Sequence, residues 1–516
     1  MRGLTLLSLF WIIGLSLSAQ SSLKIKESSK IIGHSSLTNQ DIQAREFVFP
    51  DSIKQLHVDT LSYCLNVTTQ KATNNKRYPS LSGLLIRYDL QQSKVNWSKK
   101  IKYDKYYFRF LGPYVFMKNY RSSIVLNNNN GEQLWDKYSV VFDFSFKNFG
   151  VGMSNTDGSP HLDVAKGYDL TNGAELWERR FSYEYEGNAY LKLNDSVILL
   201  IADGIHTLNL KDGSGWDYNA VTGVSNYSIV SIANRLGITV DNRMRGLVTS
   251  PALSVVRGVF SNIIYDSTKI CFASKDEIVR LNRDGKVMWS SPLPTDLTSS
   301  SRILIEDSIL CIVNTGTAFY GLYPLPFGVP FVAGFDLNSG KQLYFSSMLD
   351  DRSNVRFFKH LPGSVLLFFK DRISKFSSVD GSLLVEKHFK TDVYGELDSI
   401  VSSKSYVKVD ARYKELRSSD STLTYLYFPN NRVLVFNKDA DMVFQLSKSM
   451  IYSRVLEYKD YIFLAKENEM VVVDKNGSPV AELALSTKAK IFGSKLYDNQ
   501  DEKCYEVDLN SIIKKE

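Results

Sequence analysis

The residues of this 516-residue chain that could carry chemistry are few and scattered. Four cysteines, Cys64, Cys271, Cys311 and Cys504, form no Cys-x-x-Cys pair and no Cys/His cluster, so the spacing of a zinc or redox site is missing. Six histidines, His34, His57, His161, His206, His360 and His388, show no ligand or triad spacing. A lone His among strands reads first as a satisfied surface or core residue. Asp157-Gly158, Asp212-Gly213 and Asp380-Gly381 supply carboxylates, yet each is better explained as turn chemistry. Asp439 and Asp441 lack the further oxygens of a calcium loop. The densest cationic stretch places Lys99, Lys100, Lys102, Lys105 and Arg109 among Tyr103, Tyr106, Tyr107 and Phe108. Such a mix could stack and hold nucleic acid. Two strands with solvated lysine faces are the favoured reading, and no nucleic-acid partner is expected.

The elements that must position any site are written in a repeat. An apolar run, a polar turn and a large apolar residue four places later recur nine times, with turn residues Ser93, Gly131, Gly173, Gly213, Gly285, Gly340, Gly381, Ala440 and Gly477. Trp97, Trp135, Trp177, Trp289, Tyr344, Val385, Phe444 and Ala481 stand four places on, and Trp216 stands one place early. Around Asn172-Gly173, Tyr168 and Leu170 alternate with Asp169 as in a strand, and Gly173 supplies the positive φ of a tight turn. One hairpin cannot bury a Trp, so the units must stack. Two further apolar segments precede each turn and complete a four-strand unit. In the fourth copy the segments are Tyr190–Leu193, Val197–Ile201, Ile205–Leu210 and Trp216–Tyr218. A base spacing near forty residues is the mark of propeller blades or another radial β-array.

The pattern Ala/Tyr-x-Asp-x-x-x-Gly-x-x-x-Trp resembles the Trp-docking repeat of the PQQ-binding-like β-propellers. Gly246–Pro251, Lys269–Ser274 and Leu281–Gly285 together resemble a whole family repeat. The resemblance spans roughly residues 45–510 and implies an all-β propeller of four-stranded antiparallel blades. Eight blades are expected within a range of seven to ten, Ser93 and Ala440 marking the weakest copies. A terminal half-copy, Tyr505–Asn510, has no returning strand, so an N-terminal segment within residues 20–44 is expected to complete its sheet and close the ring. The resemblance includes quinone-dependent dehydrogenases, which hold the cofactor on the propeller axis with Ca²⁺ and an Asp base. It also includes non-enzymatic propellers. The alcohol-oxidising branch uses a disulfide between adjacent cysteines, and this chain has no adjacent pair; a sugar-oxidising branch relies on His instead. No cofactor is therefore expected in the favoured reading, and PQQ with Ca²⁺ belongs to the alternative.

Arg2, the apolar stretch Leu4–Leu17 and Ser18-Ala19-Gln20 read as a secretory signal, residues 1–19, cut after Ala19. The stretch is shorter than the roughly 20 residues of a spanning helix, and no cysteine follows it closely enough for a lipid anchor. A periplasmic or secreted protein is expected, without a transmembrane segment and monomeric. The formal charge of +7 is mild over 117 charged residues. Four cysteines in an oxidising compartment permit two disulfides. Equivalent strands of neighbouring sheets lie about 10 Å apart, too far for a bridge, so four buried thiols are favoured.

Three segments interrupt the repeat of the single domain 45–512, at residues 223–257, 321–333 and 402–430. In the first, Ile229, Ile232, Ala233 and Leu236 follow helical period over about 225–237, as a helix on the flank or a docking element. In the second, three prolines stiffen a loop that holds Tyr323, Phe327 and Phe331; it either folds over the core or anchors a partner. These three aromatics, with Ile229 and Leu236 as second choice, are the candidate binding residues. The expected role is recognition of a cell-envelope protein, peptide, glycan or other extracellular polymer. A PQQ-dependent oxidoreductase acting on alcohols or sugars is the alternative.

Overall fold

The computed structural model describes residues 23–513 except 73–79, 104–105, 119–121, 139, 157–158, 182–188, 202–203, 221–258, 295–296, 321–322, 327, 349–354, 396–398, 403–404, 407–423, 429–431, 447–453 and 475. These residues are almost entirely strand, arranged as antiparallel four-strand meanders of the kind the repeat demands. The fourth copy forms Ala189–Lys192, Val197–Ile201, Ile205–Asn209 and Asp217–Tyr218, close to the segments expected. The signal segment 1–19 and the expected helix near 225–237 lie outside the described residues. One short helix, Thr391–Tyr394, follows a last strand instead.

The chain divides into two compact units. The larger holds residues 120–123 and 137–487. Its modules cover residues 140–180, 189–218, 264–292, 301–347, 357–388, 399–446 and 454–483, each of four meandering strands, with a short fifth, Ser405–Tyr406, at the edge of 399–446. Consecutive modules pack face to face. Val151, Ala165 and Trp177 of one module meet Ile198, Leu200 and Leu208 of the next. Leu304, Cys311 and Val332 likewise meet Val365 and Leu367. The alternation of each strand thus has both faces buried in its central members, which is why the second strands read as unbroken apolar runs.

The smaller unit holds residues 1–119, 124–136 and 488–516. It contains modules 52–102 and 107–138 and a sheet shared by the chain ends. Lys503–Asp508 pairs with Gln40–Val48, from Ala44 opposite Val507 to Val48 opposite Lys503. The C-terminal half-copy has an N-terminal strand as its neighbour, and the paired residues, Ala44–Val48, begin where the expected segment 20–44 ends. Ser35 Oγ also donates to the Ile512 carbonyl at 2.8 Å.

Among the described residues the larger unit holds seven such modules and the smaller three, a number of sheets within each unit that does not fix the number of blades. The two copies read as weakest are tight turns with positive φ. Ser93 and Ala440 take φ of 51° and 62° without glycine. The segment 402–430 is likewise not all insertion, because Thr424–Phe428 is a strand of its module.

Seven last hairpins share one irregularity. The ladder shifts register three places after the turn, leaving Asn96, Leu176, Met288, Leu343, Leu384, Val443 and Val480 unpaired. Such a bulge twists an outer strand and blunts it as a template for further pairing. In four of the hairpins the next residue is a docked aromatic, Trp97, Trp177, Trp289 or Tyr344.

Candidate functional site

Sheet-to-sheet docking is the dominant geometry. Trp97 Nε1 donates to the Asn128 carbonyl at 2.8 Å, Trp177 to Leu210 at 2.9 Å, Trp216 to Arg283 at 2.8 Å and Trp289 to Leu337 at 3.0 Å. Tyr344 Oη donates to Ser378 at 2.7 Å. Each ring lies on the turn glycine of the following module. A Cβ on Gly340 would sit 2.6 Å from the Trp289 ring, so only glycine admits the indole there. Trp216, one place early in sequence, docks on Gly285 like the others. Trp135 is buried as well. Two places beyond the aromatic stands a second latch that sequence reasoning missed. Arg179 donates to the Gly213 carbonyl at 3.1 Å, Ser346 to Gly381 at 2.7 Å, and Ser291 to Gly340. A donor-capable residue six places after the turn was the available signal.

The titratable residues are taken up by this framework. Asp212 Oδ1 accepts from Ser214 N and Oγ, and Asp380 Oδ1 accepts from Ser382 N and Oγ. Those hydrogen bonds hold the Asp380 carboxyl down at about 2. His206 Nδ1 lies 2.6 Å from Asp217, which also receives Arg179 Nη2 at 2.7 Å. His360 lies 2.9 Å from Glu306, and His57 stacks on Phe110 with burial lowering its pKa. Among the described residues no three His, Cys, Asp or Glu side chains converge in a way that could hold a metal. At Asp212 and Asp380 the Oδ1 atoms are thus engaged with turn amides and hydroxyls, while Asp157 lies outside the described residues.

All four cysteines are free and buried. Burial pushes the Cys271 and Cys311 thiols up to about 11 and raises Cys504 further. At pH 8 roughly one Cys271 or Cys311 thiol in a thousand would be thiolate even if reagent could enter. Native protein should therefore leave Cys271, Cys311 and Cys504 unlabelled by iodoacetamide, and denaturant should release them. Labelling of these residues in the native state, read by mass spectrometry, would contradict their placement.

The segment expected as a proline-stiffened loop contains a hairpin. Thr317–Tyr320 pairs with Tyr323–Pro326, inserted between the second and third strands of module 301–347. Its root is locked by fully buried Asn314. The Oδ1 of Asn314 accepts from Ser299 N at 2.7 Å and from Ser299 and Ser301 hydroxyls at 3.1 Å. Its Nδ2 donates to the Leu297 and Val329 carbonyls at 2.9 and 2.6 Å. At Gly328, φ 72°, a Cβ would meet the Leu297 carbonyl oxygen at 2.0 Å, so the exit from the hairpin is fixed as well.

Of the five candidate residues, two lie on described strands. Tyr323 begins the second hairpin strand, while Phe327, Ile229 and Leu236 lie outside the described residues. Phe331 must be corrected. It opens the third strand of the module, is fully buried and packs on Phe345 with centroids 4.9 Å apart. Its ring belongs to the core because strand alternation resumes at Phe331, two residues earlier than the boundary taken from the prolines. The smaller unit has a groove of about 400 Å³ between Leu23-Lys24-Ile25 and the strand residues Ser93–Ser98.

No family model matches this chain, and no curated protein matches it in sequence. Solved structures resemble it weakly. BamB from Moraxella catarrhalis is 13% identical, with a TM-score of 0.37 over 73% of this chain and 96% of that one. AztD from Citrobacter koseri is 9% identical, with a TM-score of 0.29 over 72% and 94%. The dihydro-heme d1 dehydrogenase NirN is 13% identical, with a TM-score of 0.33 over 71% and 72%. At these scores no site, ligand or partner passes from them to this chain. No helix among the described residues is long and apolar enough to cross a membrane.

Proposed function

We propose that this chain is a propeller-type scaffold of the cell envelope or exterior that binds a protein or extended polymer without chemistry. The inserted hairpin Thr317–Pro326 is its contact element. The observation that carries this reading is the root of that hairpin. A buried asparagine making five hydrogen bonds holds an otherwise dispensable insertion in one orientation. Preorganisation of that kind lowers the ordering cost of binding. The titratable groups nearby serve turns and latches, which leaves recognition as the simpler use of the array.

The test replaces residues 318–325 with a short Gly-Ser linker, and separately makes Tyr323→Ser, keeping Asn314 in both. Circular dichroism and melting should be unchanged, while recovery of partners from an envelope extract falls at least about tenfold, some 1.4 kcal/mol of binding. Unchanged partners and yields would remove the hairpin from the binding role. In parallel, pyrroloquinoline quinone with Ca²⁺ is titrated into the intact protein. A bound chromophore with alcohol- or sugar-dependent dye reduction would establish the oxidoreductase instead.

A further inference from the structure

Along the larger unit the latch between modules first loses its polar hydrogen at Val385. Trp177, Trp216, Trp289 and Tyr344 each give a polar hydrogen to the next turn. The next residue in this series is Val385, which has no side-chain hydrogen to give. The turn it meets carries Ala440 in place of glycine, held at φ 62°.

These two departures fit each other. Where the docked residue is Trp289 or Tyr344, a Cβ on Gly340 or Gly381 would lie 2.6 or 2.4 Å from the ring. Val385 leaves room, and it packs in one cluster with Ala440, Leu434 and Phe436. The loss of the aromatic and the gain of a turn Cβ are therefore one coupled change, not two weak copies.

Charge takes the place of the missing bond. Lys387, at the position where Ser346 and Arg179 bind turn carbonyls, lies 2.5 Å from Asp441. Lys375 of the same sheet lies 3.4 Å from Asp439. Both carboxylates sit on the one turn, whose Asn437 Oδ1 accepts from the amides of Asp439 and Asp441. The aspartates are 54% and 61% exposed, so these pairs stand in water, where salt screens them. An indole bonded to a buried carbonyl has no such sensitivity.

We infer that the contact between sheet 357–388 and turn 437–441 is a salt-sensitive seam built into the array, where these two modules part more readily as ionic strength rises than modules joined by an indole. Parting there uncovers Leu366, Phe368, Ile373, Leu434 and Phe436, which are otherwise enclosed. The device needs no ligand and stands apart from the hairpin at 317–326.

Hydrogen–deuterium exchange on the intact chain tests it. The Debye length falls from about 10 Å at 0.1 M salt to about 3 Å at 1 M. Between those conditions, exchange in Leu383–His388 and 437–441 should rise about tenfold, while Glu175–Arg180 and 209–213, joined by Trp177, should change less than about twofold. Equal rates at both salts in 383–388 would overturn the inference. The double variant Val385→Trp with Ala440→Gly restores the aromatic latch and should abolish the salt response; a response that persists in the folded variant would also overturn it. Should that variant not fold, Lys387→Gln with Asp441→Asn is used, and its exchange at 0.1 M should match the native rate at 1 M. Native-like protection at 0.1 M in that variant would show that the charges hold nothing.

Discussion

Replacing Trp289 with alanine should lower the unfolding free energy by about 3–5 kcal/mol, the range for truncating a buried aromatic where the surroundings relax only in part. Three losses coincide at this residue. The ring leaves a cavity lined by residues such as Ile278 and Leu293 of its own module. The Leu337 carbonyl loses its indole donor. Gly340, kept bare of a Cβ for the indole's sake, loses the ring that packs on it. Collapse of the gap is resisted because Gly340 is fixed by its own hydrogen bond to the Asp336 carbonyl at 2.9 Å. The reciprocal change, Gly340→Ala, meets both the ring and a φ of 74°. Chemical denaturation of both variants should show large losses. The double variant should lose much less than the sum, since each change removes what the other disturbs. A Trp289→Ala loss below about 1 kcal/mol would mean that docking is incidental to stability.

The repeat was legible because its chemistry is local. Asn172-Gly173 fixes a turn within four residues, and Trp177 follows at a constant offset, so neither needs the rest of the fold to be recognised. Strand bounds in copies such as 189–218 and 264–292 followed from alternation alone. Where the reading failed, the deciding contact was distant in sequence. Ala440 looked weak until its partner Val385, from another module, explained why a Cβ is tolerated. Ser93, the other copy read as weak, holds φ 51° without glycine.

The candidate site was less legible, for a related reason. Prolines in 321–331 announce a break in the repeat, but not whether the chain there is free loop or paired hairpin. That depends on Asn314, an unremarked residue at a strand end, which collects acceptors and donors from residues 297 to 329. Phe331 reads as part of a loop aromatic cluster, although its place opposite Asn314 in the ladder makes it the first residue of a core strand. Aromatic composition marks binding loops and strand starts alike.

Deleting the chain from Cys504 onward should produce the second large effect, a fall in melting temperature of at least about 10 °C and loss of cooperativity in the smaller unit. The strand Lys503–Asp508 is central in its sheet, paired with Gln40–Val48 on one side and Lys495–Gln500 on the other. Its removal leaves two unpaired edges and uncovers Phe47, Tyr88 and Tyr497, which share a cluster with Cys504. The ionic contact of the pairing, Lys503 to Glu46 at 3.2 Å, sets a part-exposed lysine on a buried glutamate that Lys30 also approaches at 3.9 Å, so Glu46 keeps a cation when Lys503 is neutralised. The loss should therefore come from apolar burial and from the ladder, so Lys503→Gln should shift melting by no more than a degree or two. A milder probe is Val507→Pro, which removes one ladder donor and cannot sit in a central strand. It should reproduce much of the deletion's effect without shortening the chain. Scanning calorimetry of the three variants separates these contributions: an unchanged transition after the deletion would show that the ends of the chain are not held together by this strand.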